Sequence, residues 1–371
     1  MGADYSAFAG ARLRIAVDGD GLSRPQAGVG VYTREILRAL AAAAPVDLTV
    51  YGPPGIDLPP GVTAARRSTI PFAGRHLLWS GALRRTGADV FFGCIGQLPL
   101  RGVGMPSVVT AHDLAIYRNP EWFPDGQWLS VQHVVPRSLR RADRVICVSH
   151  STARDVEALL GVPHDRLRVV PLGVDGAFSS QSAEAIADVR RRLDLPERFI
   201  LFVSTIEPRK NLPVLLDAWS HLDDRPALVV AGLTGWRARE IEAKLEGAGG
   251  EVRRLGPVDR RDLPALYSAA LCLCHPSWYE GFGLTPLEAM ACGTPVVVSS
   301  RSSLPEVVGD AGLLIDPADP DAWTAALAQV LTDDDLRQEL RTRGLARAAS
   351  FTWSRTAEET WAVMQEVVGK S

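Results

Sequence analysis

Lysine is almost missing from this chain. Among 40 basic residues only Lys210, Lys244 and Lys370 are lysines, so arginine carries nearly every positive charge and a lysine inside a loop is informative. Cysteine is scarce as well. Cys94, Cys147, Cys272, Cys274 and Cys292 are odd in number and scattered, and three of them fall in apolar segments that read as buried strands. Reduced thiols in a cytoplasmic setting follow from that usage. Cys272 and Cys274 have no second pair nearby, which argues against zinc. The chain has no apolar run of about 18 residues, so no transmembrane helix is expected. It opens without a basic patch, apolar stretch and small-residue cleavage site, so no secretory signal is expected. There is no low-complexity segment or short repeat. There is also no excess of positive charge: the net charge of −3 speaks against a nucleic-acid binder.

What is present reads as a globular protein, with 46% hydrophobic and 22% charged residues. A length of 371 residues suits two domains, each of about 150–200 residues. Charge is uneven between them. Residues 1–180 hold 19 arginines against 15 acidic residues, whereas the remainder holds 21 basic against 28 acidic residues. Chance variation explains this as well as an N-terminal half that meets an anionic partner or a membrane surface.

Short apolar, β-branched segments alternate with helical patterns. Leu13–Val17, Val46–Tyr51, Val90–Phe92, Ser107–Thr110, Arg144–Val148 and Leu167–Pro171 read as strands, with a helix over Tyr32–Ala43. The alternation restarts with Phe199–Ser204, Ala227–Ala231, Glu251–Leu255, Leu271–Cys274 and Pro295–Ser299. Such alternation implies parallel sheets with right-handed crossovers. Two series imply two doubly wound α/β domains, with the break near Gly173–Gln181. Ligands in such sheets bind beyond the carboxyl ends of the strands.

The richest segment is His275-Pro-Ser-Trp-Tyr-Glu280-Gly281-Phe282-Gly283-Leu284-Thr285-Pro286-Leu-Glu288-Ala-Met-Ala-Cys-Gly293. It follows a strand and contains a helix start. Thr285 is expected at N-cap, Pro286 at N1 and Glu288 at N3, a capping box, with Gly293 at the C-terminal cap. Gly281 and Gly283 let the loop backbone approach a ligand closely. The N–H groups of the loop and helix start suit a diphosphate. Glu280 and Glu288 are poor partners for phosphate but good acceptors for ribose or sugar hydroxyls. A second loop, Thr205-Ile-Glu-Pro-Arg209-Lys210-Asn211, follows another strand, and Asn211 is expected to cap the next helix. Arg209 and Lys210 there are placed to neutralise a leaving diphosphate. In the first half, Gly28-Val-Gly30-Val-Tyr opens a helix after the first strand. Thr33 stands where the third glycine of a dinucleotide fingerprint belongs, so this is not that motif. His112 lies at the carboxyl end of Val108-Val-Thr-Ala.

Together these residues resemble the retaining glycosyltransferases of GT-B family 4, which include many mannosyltransferases. The most specific piece is E-x7-E, here Glu280 and Glu288. Supporting pieces are Gly28/Gly30, His112-Asp113, Ala142–Ser149 and Pro208-Arg209-Lys210. The resemblance implies the GT-B fold: an acceptor-side domain over 1–175, a nucleotide-sugar domain over 176–350, the two facing a cleft, and a helix over 351–371 returning to the first domain. It implies that Glu288 holds the donor ribose and Glu280 lies by the donor sugar. Arg209 and Lys210 would hold the diphosphate, Gly28 or Gly30 would close over the phosphates, and His112 would contact the reacting sugar. Gly281, Phe282, Gly283, Leu284 and Thr285 join the donor site, with the base near Arg254–Val258. Many members carry Gly-Arg early in the loop ending in the lysine; this chain has Ser204-Thr205, and Arg209 is the available substitute.

The implied reaction moves a hexosyl group, mannose from GDP-mannose first, from a nucleoside diphosphate sugar to a hydroxyl of a saccharide, lipid-linked or small-molecule acceptor. No metal and no cofactor beyond the donor are implied. Trp361, Met364 and Val368 fall on one face of the terminal helix. The acceptor is expected on the N-terminal domain, beside Tyr117, Trp122, Phe123 and Trp128 and the basic run Arg137, Arg140, Arg141 and Arg144. Leu77, Leu78, Trp79 and Leu83 between Arg75 and Arg85 suit a helix on a membrane surface, which would make the protein peripheral at the inner face. An NAD-dependent oxidoreductase, a non-catalytic sugar-nucleotide-binding protein and a sugar-nucleotide epimerase compete with this reading.

Overall fold

The computed structural model describes residues 12–23, 28–66, 79–126, 129–249 and 251–369. The chain forms two compact units. One holds the described residues up to Tyr117, Asp125–Gly173 and those from Phe351 onward; the other holds Arg118–Pro124 and Val174–Ser350.

The first unit carries seven strands: β1 (Leu13–Asp18), β2 (Val46–Gly52), β3 (Val62–Arg66), β4 (Val90–Gly93), β5 (Ser107–Ala111), β6 (Arg144–Cys147) and β7 (Leu167–Val169). They pair in the order β3-β2-β1-β4-β5-β6-β7, parallel throughout. Helices cover both faces of such a sheet, so its inner strands read as continuous apolar runs rather than as alternation. β4 and β5 show this, every residue of Val-Phe-Phe-Gly and Ser-Val-Val-Thr-Ala being buried. The core joins Phe91, Val109, Val145 and Cys147 to Trp79, Leu83 and Leu139 from the flanking helices.

The second unit repeats the plan with β8 (Phe199–Val203), β9 (Ala227–Ala231), β10 (Val252–Gly256), β11 (Cys272–His275), β12 (Val296–Ser299) and β13 (Leu313–Ile315). Their order is β10-β9-β8-β11-β12-β13, again all parallel. Its core packs Phe202, Leu228, Val230, Cys272 and Cys274 against Trp219, Trp323 and Leu327. In each unit the strand order reverses beside the first strand, between β1 and β4 and between β8 and β11. Loops part there and leave a crevice beyond the carboxyl ends.

The structure departs from sequence expectation at several points. β3 and β13 do not stand out in the sequence. Trp79 and Leu83, expected on a membrane-surface helix, are core residues: Trp79 is buried and meets Phe91 edge-on at 5.4 Å. Trp122 and Phe123 belong to the second unit, where Phe123 stacks on Trp236 at 5.9 Å; Tyr117 stays with the first unit. Leu77, Leu78, Arg75 and Trp128 lie outside the described residues. No described helix is long and apolar enough to cross a membrane.

Candidate active site

The second unit's crevice is built by the loops after β8 and β11, neighbours in the sheet. The β8 loop turns through a short 3-10 helix, Pro208–Lys210, and ends at Asn211 with φ of 52°. The helix Leu212–Ser220 begins there, but the Asn211 side chain does not cap it. Its Nδ2 donates instead to the carbonyl of Pro317 at 2.8 Å. The β11 loop is tied to the β8 loop by Trp278 N–H donating to Arg209 O at 2.9 Å. It is tied to the β12 loop by Ser303, whose Oγ donates to the carbonyls of Glu280 and Phe282 at 2.8 and 2.7 Å.

Glu280 is the hub. Its Oε1 accepts from Lys210 Nζ at 2.6 Å and from His275 Nε2 at 2.8 Å, and its Oε2 from Arg209 Nη1 at 3.2 Å. Arg209 also reaches Glu207, with Nη2 2.8 Å from Oε1, and the carbonyl of Tyr279 at 2.9 Å. Glu207, Lys210, His275 and Glu280 are all buried. Two carboxylates and two cations therefore balance where little water reaches them, and a charge there is tolerated only with partners. Burial pushes the Glu280 carboxyl upward, but Lys210, Arg209 and His275 outweigh it and hold it well below the usual carboxylate range. Burial lowers the Lys210 ammonium, with Arg209 beside it acting in the same direction and Glu280 opposing. Burial likewise lowers His275. A neutral His275 bonded to a carboxylate must donate from Nε2.

Glu288 is a different kind of carboxylate. It is buried, takes Arg260 Nη1 at 3.1 Å and the Tyr267 hydroxyl at 3.3 Å, and has its pKa pushed up to about 7 by burial, against the pull of Arg260. The ion pair with Arg260 favours the charged form, yet that guanidinium is 36% exposed and its charge is shared with water. Burial therefore wins.

The expected capping box is corrected by the structure. The helix runs Leu284–Ala291 from Gly283, whose φ is 115°, so Thr285 is its second residue and Glu288 its fifth. Glu288 is spent on Arg260 and Tyr267, not on the helix start. Pro286 is tolerated because the first turn's N–H groups have no helical acceptor. An added Cβ at Gly283 would come within 2.9 Å of Leu304 Cδ2. Gly293, with φ of 76°, follows the helix end as expected. Leu284 and Thr285 are half-buried at the helix start, Gly281 and Phe282 are buried in the loop, and Val258 is half-buried after β10. The sequence did not single out Glu207, Arg260, Tyr267 and His275. His275 reads as the last residue of an apolar strand, and only its spacing of five from Glu280 hinted at a shared loop.

In the first unit, His112 follows β5. Its Nε2 lies 2.7 Å from the carbonyl of Cys94, the residue after β4. A carbonyl only accepts, so Nε2 carries the proton. Burial lowers the pKa of the ring, which leaves Nδ1 as an acceptor at neutral pH. Tyr32 meets the ring edge-on at 4.8 Å, and the Tyr32 hydroxyl bonds Thr110 Oγ1 at 2.8 Å. Gly28 and Gly30 lie in the first turn of the helix Gly28–Ala43, Gly28 exposed and Gly30 buried.

Two parallel-sheet units, each with the 3-2-1-4-5-6 order at its centre and one bearing a buried acid–base cluster at its switch point, define the GT-B class of glycosyltransferase fold. Solved structures agree on that fold. Sucrose-phosphate synthase from Thermosynechococcus elongatus superposes with a TM-score of 0.79 at 24% identity, covering 97% of this chain and all of that one. Anabaena HepE in complex with UDP and glucose gives 0.78 at 18%, covering 95% and all. Residues 186–347 match the family described as glycosyl transferases group 1 and residues 27–178 match glycosyltransferase family 4. The O-antigen chain mannosyltransferase B of Escherichia coli is 33% identical over 94% of this chain and 98% of its own length. A D-inositol 3-phosphate glycosyltransferase of Salinispora tropica is 33% identical over 92% and 82%. The chain belongs to the group 1, family 4 glycosyltransferases, and it is an enzyme that transfers glycosyl groups.

Proposed function

We propose that the enzyme transfers a hexosyl group from a nucleoside diphosphate sugar to an acceptor hydroxyl with retention of configuration. GDP-mannose is the first donor to test, because of the similarity to an O-antigen mannosyltransferase. The acceptor is a saccharide, a lipid-linked sugar or a small hydroxyl compound. The carrying observation is the buried Lys210–Glu280–Arg209 cluster at the switch point of the second sheet. When the C1–O bond to the diphosphate breaks, negative charge grows on the leaving oxygen, and Arg209 and Lys210 are the cations held for it. The acceptor oxygen bonds C1 on the same face and its proton passes to the departing diphosphate. Glu280 fixes both cations, which removes the need to organise them during the reaction. The reading uses no divalent metal. Glu288 takes the ribose diol, the base lies by Val258, and the loop Gly281–Thr285 backs the phosphates. In the first unit, His112 is assigned to the reacting sugar and Gly28 or Gly30 to the phosphates.

The test is a donor screen followed by Lys210→Ala. With the preferred donor, this variant should lose about 10²-fold or more in kcat, not only in affinity, because the charge it meets grows in the transition state. Normal turnover would reduce Lys210 to a structural ion-pair partner, and an inverted anomer in the product would overturn retention.

A further inference from the structure

Three arginines of the first unit lie together at the edge opposite His112. Arg84 follows the helix Trp79–Leu83, Arg101 lies in the loop before β5, and Arg141 ends the helix Val135–Arg141 that leads into β6. All three are at the amino ends of parallel strands, the edge away from the carboxyl-end crevice. They line one cavity of about 530 Å³, within the roughly 300–1,000 Å³ range of ligand pockets.

Several other guanidinia of this unit are paired: Arg14 with Asp89, Arg38 with Glu35, Arg144 and Arg168 with Glu366, while Arg140 and Arg166 donate to backbone carbonyls. Among the described residues, Arg84 and Arg101 have no side-chain partner, and Arg141 gives one N–H to the carbonyl of Leu100 at 2.7 Å. The single acidic lining residue, Asp143, already accepts from Ser107 N and Oγ at 2.9 and 2.8 Å. The loop backbone is shaped to the arginines. Gly102 and Gly104 have φ of 76° and 73°; a Cβ on the first would come within 2.7 Å of Arg141 Nη2, and one on the second within 2.8 Å of Arg84 Nε. Both positions lie in the left-handed region that favours glycine, and glycine there leaves room for the two side chains as they lie. Leu98, Val103 and Val367 back the cavity but are themselves buried, so its exposed lining is mainly polar.

We propose that this cavity is a binding site for a phosphate ester, the phosphate taken by Arg84, Arg101 and Arg141. Guanidinium forks suit phosphate oxygens, and three of them against one engaged carboxylate leave the cavity positive. The ligand is either a lipid headgroup or a soluble phosphate ester.

Two probes separate these sources: inorganic pyrophosphate by calorimetry, and sedimentation with phosphatidylcholine vesicles with or without phosphatidylglycerol. Both are applied to the full chain carrying Lys210→Ala, so that the proposed diphosphate subsite contributes little. A failure here therefore leaves the donor reading standing. R84Q/R101Q/R141Q is compared with the charge-matched R12Q/R191Q/R355Q, three exposed arginines away from the cavity. The cavity variant should bind about tenfold or more weaker, the scale of losing charged hydrogen bonds, and the control should not. Loss with pyrophosphate alone marks a soluble phosphate ester as the occupant; loss with anionic vesicles marks a headgroup. Binding unchanged for both probes, or weakened equally in the control, overturns the proposal.

Discussion

Glu280 and Glu288 are both buried in one loop-and-helix segment, yet their protonation is opposite. Glu280 faces Lys210, Arg209 and a histidine donor and stays ionised; Glu288 faces one half-solvated arginine and a tyrosine and has its pKa pushed up to about 7. A raised carboxyl pKa means that the folded state holds the proton longer than the unfolded state does. Stability is therefore lost as pH rises from the unfolded value near 4.5 through 7, by about 3 kcal/mol at most. Ribose hydroxyls donate, so they select the charged carboxylate. Nucleoside diphosphate affinity should rise with pH through about 7, and binding below that pH should release a proton. Calorimetry in buffers of differing ionisation enthalpy reads this directly. Glu288→Gln should abolish the proton release, weaken binding by about 1–3 kcal/mol and flatten the pH slope of stability. Proton release that persists in the variant would place the titrating group elsewhere. The two glutamates were legible in the sequence as acceptors of a ligand's hydroxyls. Their different charge states were not, because Arg260 and Tyr267 reach Glu288 from other elements.

At the scale of elements, the central strands are written plainly, whereas of the four edge strands β7 and β10 are legible and β3 and β13 are not. β4, β5, β8, β11 and β12 are buried on both faces and appear as apolar runs. β3 is Val-Thr-Ala-Ala-Arg and β13 is three residues long. Both are edges, where one side of the ladder is open and little apolar pattern is needed. The start of the helix Leu284–Ala291 failed to be legible for another reason. Thr, Pro and Glu at this spacing fit a capping box two residues too late, and the choice was made by tertiary contacts to Glu288 and by Gly283 in a left-handed conformation. The two accounts predict different mutants. Thr285→Ala should change stability by less than about 0.5 kcal/mol, as expected away from a cap. Gly283→Ala should cost about 1–3 kcal/mol, from its backbone conformation and its clash with Leu304, and should also weaken donor binding. Urea unfolding of both variants at constant m-value separates them; a larger loss for Thr285→Ala would restore the capping box.

On the scale of the whole molecule, the helix Trp353–Val368 belongs with the first unit. It packs on the helix Gly28–Ala43 and on β4, β5 and β6. The N-cap Thr352 accepts from Arg355 N–H, and one turn on Thr356 Oγ1 donates to the carbonyl of Pro171 at 2.8 Å. Trp361 and Met364 are buried, and at the far end Glu366 takes Arg144 at 2.5 Å and Arg168 at 2.6 and 3.0 Å. The apolar face was visible as helical spacing, whereas Glu366 looked like any solvated charge until the fold brought it to two arginines more than 190 residues away. Trp361→Ala removes a fully buried indole and should cost about 3–5 kcal/mol. Glu366→Gln strands two partly buried guanidinia and should cost about 1–3 kcal/mol, between the surface and buried limits for ion pairs. Because the helix packs in the first unit, the damage should be local. Hydrogen exchange should speed up in the helix Gly28–Ala43 and in β4–β6, while β8, β11 and β12 keep wild-type protection. Exchange that rises first in β8–β12 in either variant would show that the helix stabilises the second sheet rather than the first.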